Sequence, residues 1–376
     1  MRRECLERET VTGVQTAFSM LLIAVGIGAC MTMATIQYVM GGDPIPHRSD
    51  ILYHVQLDGW DPNEPFEEPN EPPDQVTYLD GTAVWSAGRA RRQVLSYTTG
   101  RVIQPDDPEV RPFQVTARST TADFFPMFDV PFLYGQGWDK ETDDGAARVV
   151  VLGREINERL FGGEDPVGRT VLMNGDTYRV VGVIDDWNPV PKFYDVSNGP
   201  FNDTEEVFFP FSVAIANEIS SFGNTNCWKP IAEDGWNAFL NSECIWMQLW
   251  VELHGEDEVR DYQAFLDAYA ESQKVLGRFQ RPLNNRLREI SFLFQNEWIR
   301  QYTDTDPREI VGYSGDEIVF ETGTVTLVGD LDPQLYFVAR AEGDGPLPDG
   351  RLGQVGFGPA EAVSRHGVGA PARLPA

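Results

Sequence analysis

Basic, thiol and imidazole side chains are scarce in this sequence. Four cysteines and four histidines in 376 residues leave too little material for a zinc-rich or disulfide-dense scaffold. Only 30 lysines and arginines stand against 58 aspartates and glutamates, a formal net charge of −28. A surface of that sign repels phosphates, which argues against nucleic acid as the main ligand. There is no H-E-x-x-H and no G-x-S-x-G, and His47, His54, His254 and His366 stand singly, so metalloprotease and hydrolase machinery is not visible. After Asp43 there is also no apolar run long enough to cross a bilayer. What is present is a hydrophobic fraction of 41% and an aromatic fraction of 11%, enough for a core and incompatible with global disorder. The length suits one large domain or two modest ones.

The first forty residues are the most informative. Between Glu9 and Asp43 no side chain is charged. A helix over 17–40 would be about 36 Å long, sufficient to span a hydrocarbon layer of about 30 Å. Arg2, Arg3 and Arg8 precede it, and Gly41-Gly42 breaks it before Asp43. The excess of arginine before the span places the N-terminus in the cytoplasm and everything after Met40 outside. A cleavable signal has an apolar stretch of only about 7–15 residues, so this segment is too long for one. Ile27-Gly28-Ala29-Cys30 would pass as a lipoprotein signal, but the sequence stays apolar after Cys30, where a lipid-tethered chain turns polar. Ala24 and Gly28, like Gly26 and Cys30, have the small-xxx-small spacing that lets a second membrane helix approach.

Beyond the span, residues 49–57 alternate as a strand. Residues 61–74 hold five prolines and six carboxylates and read as a solvated loop. A helix is expected over 75–92, with Tyr78, Leu79, Ala83 and Trp85 buried, and strands over 92–103 and 112–117. Val149-Val150-Val151-Leu152 reads as a buried strand passing into a helix that ends at Gly162-Gly163. Residues 170–184 form a hairpin about Asn174-Gly175, the preferred type I′ turn. Strands are expected over 206–211 and 245–253, and a helix over 257–276 lined by Val259, Tyr262, Phe265, Leu266 and Tyr269. Helices interleaved with hairpins make the class α+β. Cys227 and Cys244 enclose a short loop; they form a disulfide if that loop lies in an oxidising compartment, or stay two separate buried thiols. The expected organisation is 1–42 as cytoplasmic N-terminus and span, 43–327 as the exported domain, and 328–376 as a Gly/Pro/Ala-rich tail without regular structure.

Several motifs approach known chemistry without reaching it. Gly163-Glu164-Asp165-Pro166-Val167-Gly168-Arg169-Thr170 nearly matches a phosphate loop, but it carries two carboxylates, Pro166 removes a donor N–H, arginine replaces lysine, and a strand follows where a helix N-terminus is required. Residues 139–145 hint at a calcium loop, yet the twelfth position is Val150 instead of a bidentate glutamate. Asp106-Asp107 and Asp185-Asp186 are paired carboxylates whose separation in space the sequence does not fix. No catalytic, cofactor-binding or metal-ligating residue is assigned.

The run Asp123-Phe124-Phe125, then Gly135-Gln136-Gly137-Trp138, Arg148 to Leu152, Leu160-Phe161-Gly162-Gly163, Pro166-Val167-Gly168-Arg169, and Val180-Val181-Gly182-Val183 resembles, as an ordered set, the MacB-like periplasmic core domain of ABC transporter permeases. The resemblance implies an inner-membrane permease subunit with one N-terminal helix followed by a two-lobed mixed α/β domain in the periplasm; the single apolar run of this sequence makes the expected layout single-pass. That domain does no covalent chemistry and uses no cofactor; it relays movements driven by a separate cytoplasmic ABC ATPase, together with other permease subunits or membrane helices. The family also carries three further membrane helices, which nothing after Asp43 supplies, so the expectation is a truncated or frameshifted permease. The alternative is a membrane-anchored periplasmic binding or scaffolding protein without transport activity.

Overall fold

Runs rich in valine, isoleucine and aromatic residues build twelve strands: β1 (Leu52–Gln56), β2 (Val76–Thr77), β3 (Arg92–Gln104), β4 (Phe113–Thr120), β5 (Phe132–Gly135), β6 (Val149–Leu152), β7 (Thr170–Met173), β8 (Asp176–Ile184), β9 (Val207–Pro210), β10 (Asn226–Cys227), β11 (Cys244–Glu252) and β12 (Arg286–Glu289). The computed structural model describes residues 43–67, 70–105 and 110–290, residues 28 and 31, and the backbone of strands between 317 and 357. The helix expected over 17–40 lies otherwise outside the described residues, among which no helix is long and apolar enough to cross a membrane.

The main path of the sheet runs β12-β1-β11-β3-β4-β9-β6-β8-β5. Most pairs are antiparallel, while β4–β9 and β6–β8 are parallel, so the sheet is mixed. β7 bonds to β8 on one side and to the far end of β3 on the other, so this part of the sheet curls into a closed ring of strands. The resemblance implies two lobes; the described residues carry one continuous sheet.

Both faces are covered. Tyr53, Val55 and Leu57 join a core with Leu249, Val251, Tyr262 and Leu266. Leu52 and Trp250 join a second core with Phe124, Phe125, Phe128, Phe193 and Phe208. The alternation in β1 therefore does not separate a wet face from a dry one: all five residues are buried. The second core is mostly aromatic, with Phe124 edge-on to Phe128 at 4.9 Å and to Tyr194 at 5.3 Å.

Local rules place several elements where the sequence indicates. Helix Arg154–Phe161 follows β6 and ends on Gly162 at φ 66°, the left-handed cap that glycine takes most easily. Asn174 and Gly175 have φ of 50° and 89°, which suits the tight turn between β7 and β8. Helix Gly255–Val275 buries Tyr262, Leu266 and Ala270. Helix Tyr78–Ser86 differs from expectation: it buries Asp80, Gly81 and Val84, while Ala83 is exposed. The reason is electrostatic. Thr77 accepts from the Asp80 amide at 3.0 Å, and the Asp80 carboxylate accepts from Arg278 at 2.8 Å and from the Tyr269 hydroxyl at 2.7 Å, so a polar side chain turns inward.

The proline-rich loop is likewise not merely solvated. Glu71 pairs with Arg286 at 2.7 Å and Arg288 at 2.6 Å, and the carbonyls of Pro72 and Pro73 accept from Gln56, so the loop is fastened to β1 and β12. Arg281 is held by Asp58 at 3.0 Å and Asn70 at 2.7 Å.

Cys227 and Cys244 face each other across the β10–β11 pair and are joined by a disulfide, with Cα atoms 4.2 Å apart. β10 has only two residues, so the crosslink adds a covalent tie to a short strand pairing. Replacing both cysteines with serine is expected to lower stability by ~3 kcal/mol, from the entropy of a loop of this length in the unfolded chain. Urea unfolding of the Cys227→Ser/Cys244→Ser chain against wild type measures it; coincident curves would show that the crosslink contributes nothing.

The chain divides into two units, 1–295 and 296–376. In the second, Glu317–Thr322, Val325–Asp330, Phe337–Ala341 and Val355–Phe357 form an antiparallel four-stranded sheet. The expected boundary at 327–328 lies within Val325–Asp330, and Phe337–Ala341 and Val355–Phe357 are the strands described beyond it. Short β-branched and aromatic runs such as Phe337-Val338 suffice for strand pairing even where glycine and proline dominate the composition around them.

Candidate functional site

The ends of β6 and β8 and two long connections border an open groove of about 1220 Å³. Gly153 and Arg154 enter it from the end of β6, and Asp185, Asp186 and Trp187 from the end of β8. A 3-10 turn, Phe193–Asn198, and the strap 222–225 form the other walls. The strap is fixed by backbone and amide bonds: Phe222 N–H donates to the Thr98 carbonyl at 3.0 Å, and the Asn224 side chain donates to the Ser197 carbonyl at 2.9 Å. The Phe222 ring is 74% exposed on that wall.

A buried ionic network underlies the groove. Arg118 on β4 is fully buried; it donates to Ser96 at 3.0 Å, to Glu205 at 2.7 Å and to Asp195. Its guanidinium lies 4.9 Å from the centre of the Tyr194 ring. Lys192 donates to Glu205 at 2.8 Å, and the Tyr194 hydroxyl donates to the other Glu205 oxygen at 3.0 Å. Asp195 also accepts from Asn198 and Gln248, each at 2.7 Å. Two cations thus meet two anions, and every carboxylate oxygen has a donor, the condition under which buried charge is tolerated. Burial alone would push the Glu205 carboxyl up; the Arg118 and Lys192 charges outweigh it and hold that group well below the usual range. Burial, reinforced by Glu205, raises the Tyr194 phenol well above its ordinary value.

The rim is acidic, with Glu155, Asp185, Asp186, Asp203 and Glu206 against Arg154, which pairs with Asp185. Amides interleave with these acids: Asn188 donates to Asp203 at 3.3 Å and accepts from the Thr204 amide at 2.9 Å. None of the described histidines reaches the groove. His47 pairs with Asp129 and His254 with Glu252, each at 2.7 Å, and His54 is buried in β1. The groove offers charge, amides and an aromatic face suited to binding.

The near-motifs are accounted for by local structure. The phosphate-loop-like segment is the turn between helix Arg154–Phe161 and β7; Asp165 accepts from the Val167 amide at 3.0 Å, and Gly168 sits at φ 88°. In the calcium-like segment the acids point apart. Asp139 caps helix Lys140–Asp144, Asp144 pairs with Lys140 at 2.8 Å, and Asp143 turns inward to accept from the Ala122 amide at 3.0 Å. Burial pushes the Asp143 carboxyl up to about 6. Among the described residues no group of three or more His, Cys, Asp or Glu side chains is placed to hold a metal ion. Asp106 and Asp107, like His366, lie outside the described residues. Sequence reasoning missed Arg118, Lys192, Asp195 and Glu205; a lone arginine inside a strand was the only hint.

Residues 16–264 match the sequence model of the MacB-like periplasmic core domain. The chain is 24% identical over 277 residues to the pyoverdine export ATP-binding/permease protein PvdT of Pseudomonas aeruginosa, covering 70% of this chain and 38% of that protein. It is 27% identical over 271 residues to the macrolide export ATP-binding/permease protein MacB of Rhodospirillum rubrum, covering 70% and 39%. The solved periplasmic region of MacB from Actinobacillus actinomycetemcomitans aligns over 69% of this chain and 96% of that one, at 14% identity and a TM-score of 0.40. The chain spans less than two-fifths of the length of these two curated relatives. With the matched segment running from the apolar N-terminal stretch through the whole ring of strands and past the ionic network to helix Gly255–Val275, the chain belongs to the family of proteins with a MacB-like periplasmic core domain.

Proposed function

We propose that this chain is a permease-type subunit of an ABC exporter in the inner membrane. Its 17–40 segment crosses the bilayer once, with Arg2, Arg3 and Arg8 on the cytoplasmic side, and the domain from residue 43 onward lies in the periplasm. In this reading the domain has the family's two lobes and is not a catalyst. It binds and transmits movement, while a cytoplasmic ABC ATPase on a separate chain hydrolyses ATP and other permease subunits or membrane helices complete the path. Nucleic acid is no partner, since the net charge of −28 repels it.

The observation that carries this reading is the span of the family match, residues 16–264, which begins inside the uncharged N-terminal run. The disulfide between Cys227 and Cys244 supports a compartment where thiols are oxidised. The relatives are named as exporters of pyoverdine and macrolides, which supports export as the direction of transport. The test is affinity purification of the full chain from detergent-solubilised native membranes after mild crosslinking. The expected result is a specific ABC ATPase retained with the chain, its ATP turnover altered by the chain's removal. Recovery of the chain in the soluble fraction would overturn the proposal, as would membrane complexes without any ATPase; the latter would favour a scaffolding role.

A further inference from the structure

Phe222 is the one aromatic side chain among the described residues that is mostly exposed, and it stands on the wall of the groove. Its backbone is tightly held. The Phe222 amide donates to the Thr98 carbonyl at 3.0 Å, and the Gly223 amide donates to the Ser221 hydroxyl at 3.1 Å. A side chain at Gly223 would strike Asn198 and Thr98. The strap therefore presents an apolar ring to solvent from a fixed position, which costs free energy unless something covers it. Beside it Ser197 is 9% exposed, and its hydroxyl has no partner among the described residues.

The charge around that ring is mostly of one sign. Six acidic and two basic side chains line the groove. Both cations are committed: Arg154 pairs with Asp185, and Lys192 is buried against Glu205 at 2.8 Å. Glu206 accepts from the Thr116 amide at 2.7 Å, and Asp203 from Asn188. Glu155 stands in the first turn of helix Arg154–Phe161, and Asp186 just past β8. Both are exposed, and neither carboxylate has a hydrogen bond or ion pair with a described residue.

Free carboxylates beside a presented ring complement lysine and arginine, whose heads pair with acids and whose stems cover apolar surface. The groove is open, and its volume of about 1220 Å³ exceeds the roughly 300–1,000 Å³ of sites that enclose a small molecule. Asn188, Asn202 and Asn224 are exposed along it, and each keeps a donor or acceptor beyond the bonds it makes. Such amides suit the N–H and C=O groups of an extended backbone. A second copy of this chain is disfavoured as the occupant, because each copy carries a net charge of −28.

We propose that this groove is a docking site for an extended, arginine- or lysine-bearing segment of another protein. Its cations meet Glu155 and Asp186, and its apolar stems cover Phe222. The site is a property of the folded domain alone, so it stands or falls independently of the permease reading.

The test titrates the full chain, in detergent at low salt, with a fluorescent peptide of alternating arginine and serine and with its glutamine–serine counterpart. The arginine peptide is expected to bind and the glutamine peptide not to. Any acidic chain attracts polycations, so the location of binding decides. Glu155→Gln/Asp186→Asn is expected to weaken binding about tenfold and Phe222→Ser about threefold, with Phe222→Tyr close to wild type. Asp257→Asn/Asp261→Asn removes two exposed charges from helix Gly255–Val275 and should change affinity by less than about twofold. Equal weakening by the two double substitutions would overturn the proposal, as would failure of the arginine peptide to bind better than the glutamine peptide. Displacement of the arginine peptide by spermidine at equal charge concentration would also overturn it, by assigning the groove to small cations.

Discussion

Replacing Arg118 with methionine will lower the free energy of unfolding by about 3–5 kcal/mol, the cost of leaving a buried charge without its partner. Arg118 has no exposed surface, and its loss strands Asp195 and Glu205, which are buried as well. Lys192 remains on Glu205, and Asn198 and Gln248 remain on Asp195, so Asp195 loses its only formal counter-charge among the described residues. Asp195 also fastens the 3-10 turn Phe193–Asn198, so the groove wall it belongs to should open before the sheet melts. Chemical unfolding followed by tryptophan fluorescence gives the first quantity, and hydrogen exchange over 193–205 gives the second. Adding Asp195→Asn to Arg118→Met should recover part of the loss, because it removes the charge that was stranded. A loss below about 1 kcal/mol would mean that water enters the network and the burial described for it is wrong.

Acid should destabilise the domain in a way that one histidine explains. His54 is 2% exposed on β1, between Arg288 of β12 and Trp250 of β11, whose ring centroid is 5.1 Å away. Burial, and secondarily the Arg288 charge, lower its pKa from 6.5 to about 3. The unfolded chain therefore takes up a proton below pH 6.5 that the folded chain refuses until about pH 3. Stability is unaffected by this group above that window and falls as pH drops through it, by about 1.4 kcal/mol per pH unit. Between pH 7 and pH 4 the loss assigned to His54 is about 3 kcal/mol. His54→Phe keeps an aromatic ring against Trp250 and removes the titration. Urea midpoints at both pH values are expected to separate less in this variant than in wild type by that amount; an unchanged separation would refute the assignment.

What the sequence revealed, and what it withheld, follows from the range of each interaction. Gly162, Asn174-Gly175 and the β6-to-helix passage are fixed by neighbours within a few residues, so they could be read directly. The closure of β7 onto β3 joins residues about seventy positions apart, and hairpin signals say nothing of it. The Arg118 network joins β4 to a connection far along the chain, and nothing local distinguishes Arg118 from a solvated strand arginine. In helix Tyr78–Ser86 the expected Tyr78 and Trp85 do pack against the core, but Ala83 is exposed and Asp80 is buried, because Arg278 and Tyr269, distant in sequence, draw that carboxylate into the interior. The Pro-rich loop misled for the same reason, since its partners Arg286 and Arg288 lie at the other end of the domain. Cys227 and Cys244 were legible as a pair because they are close in sequence and the alternatives were few.

The sidedness of the chain decides the account. Cys227 is exposed and Cys5 precedes the uncharged run, so under the proposed topology the two cysteines stand on opposite sides of the membrane in one molecule. In intact spheroplasts treated with a reductant, a maleimide unable to cross the inner membrane is expected to label Cys227 at once and Cys5 only after lysis. Labelling of both, or of neither, before lysis would contradict a permease subunit whose core domain stands in the periplasm.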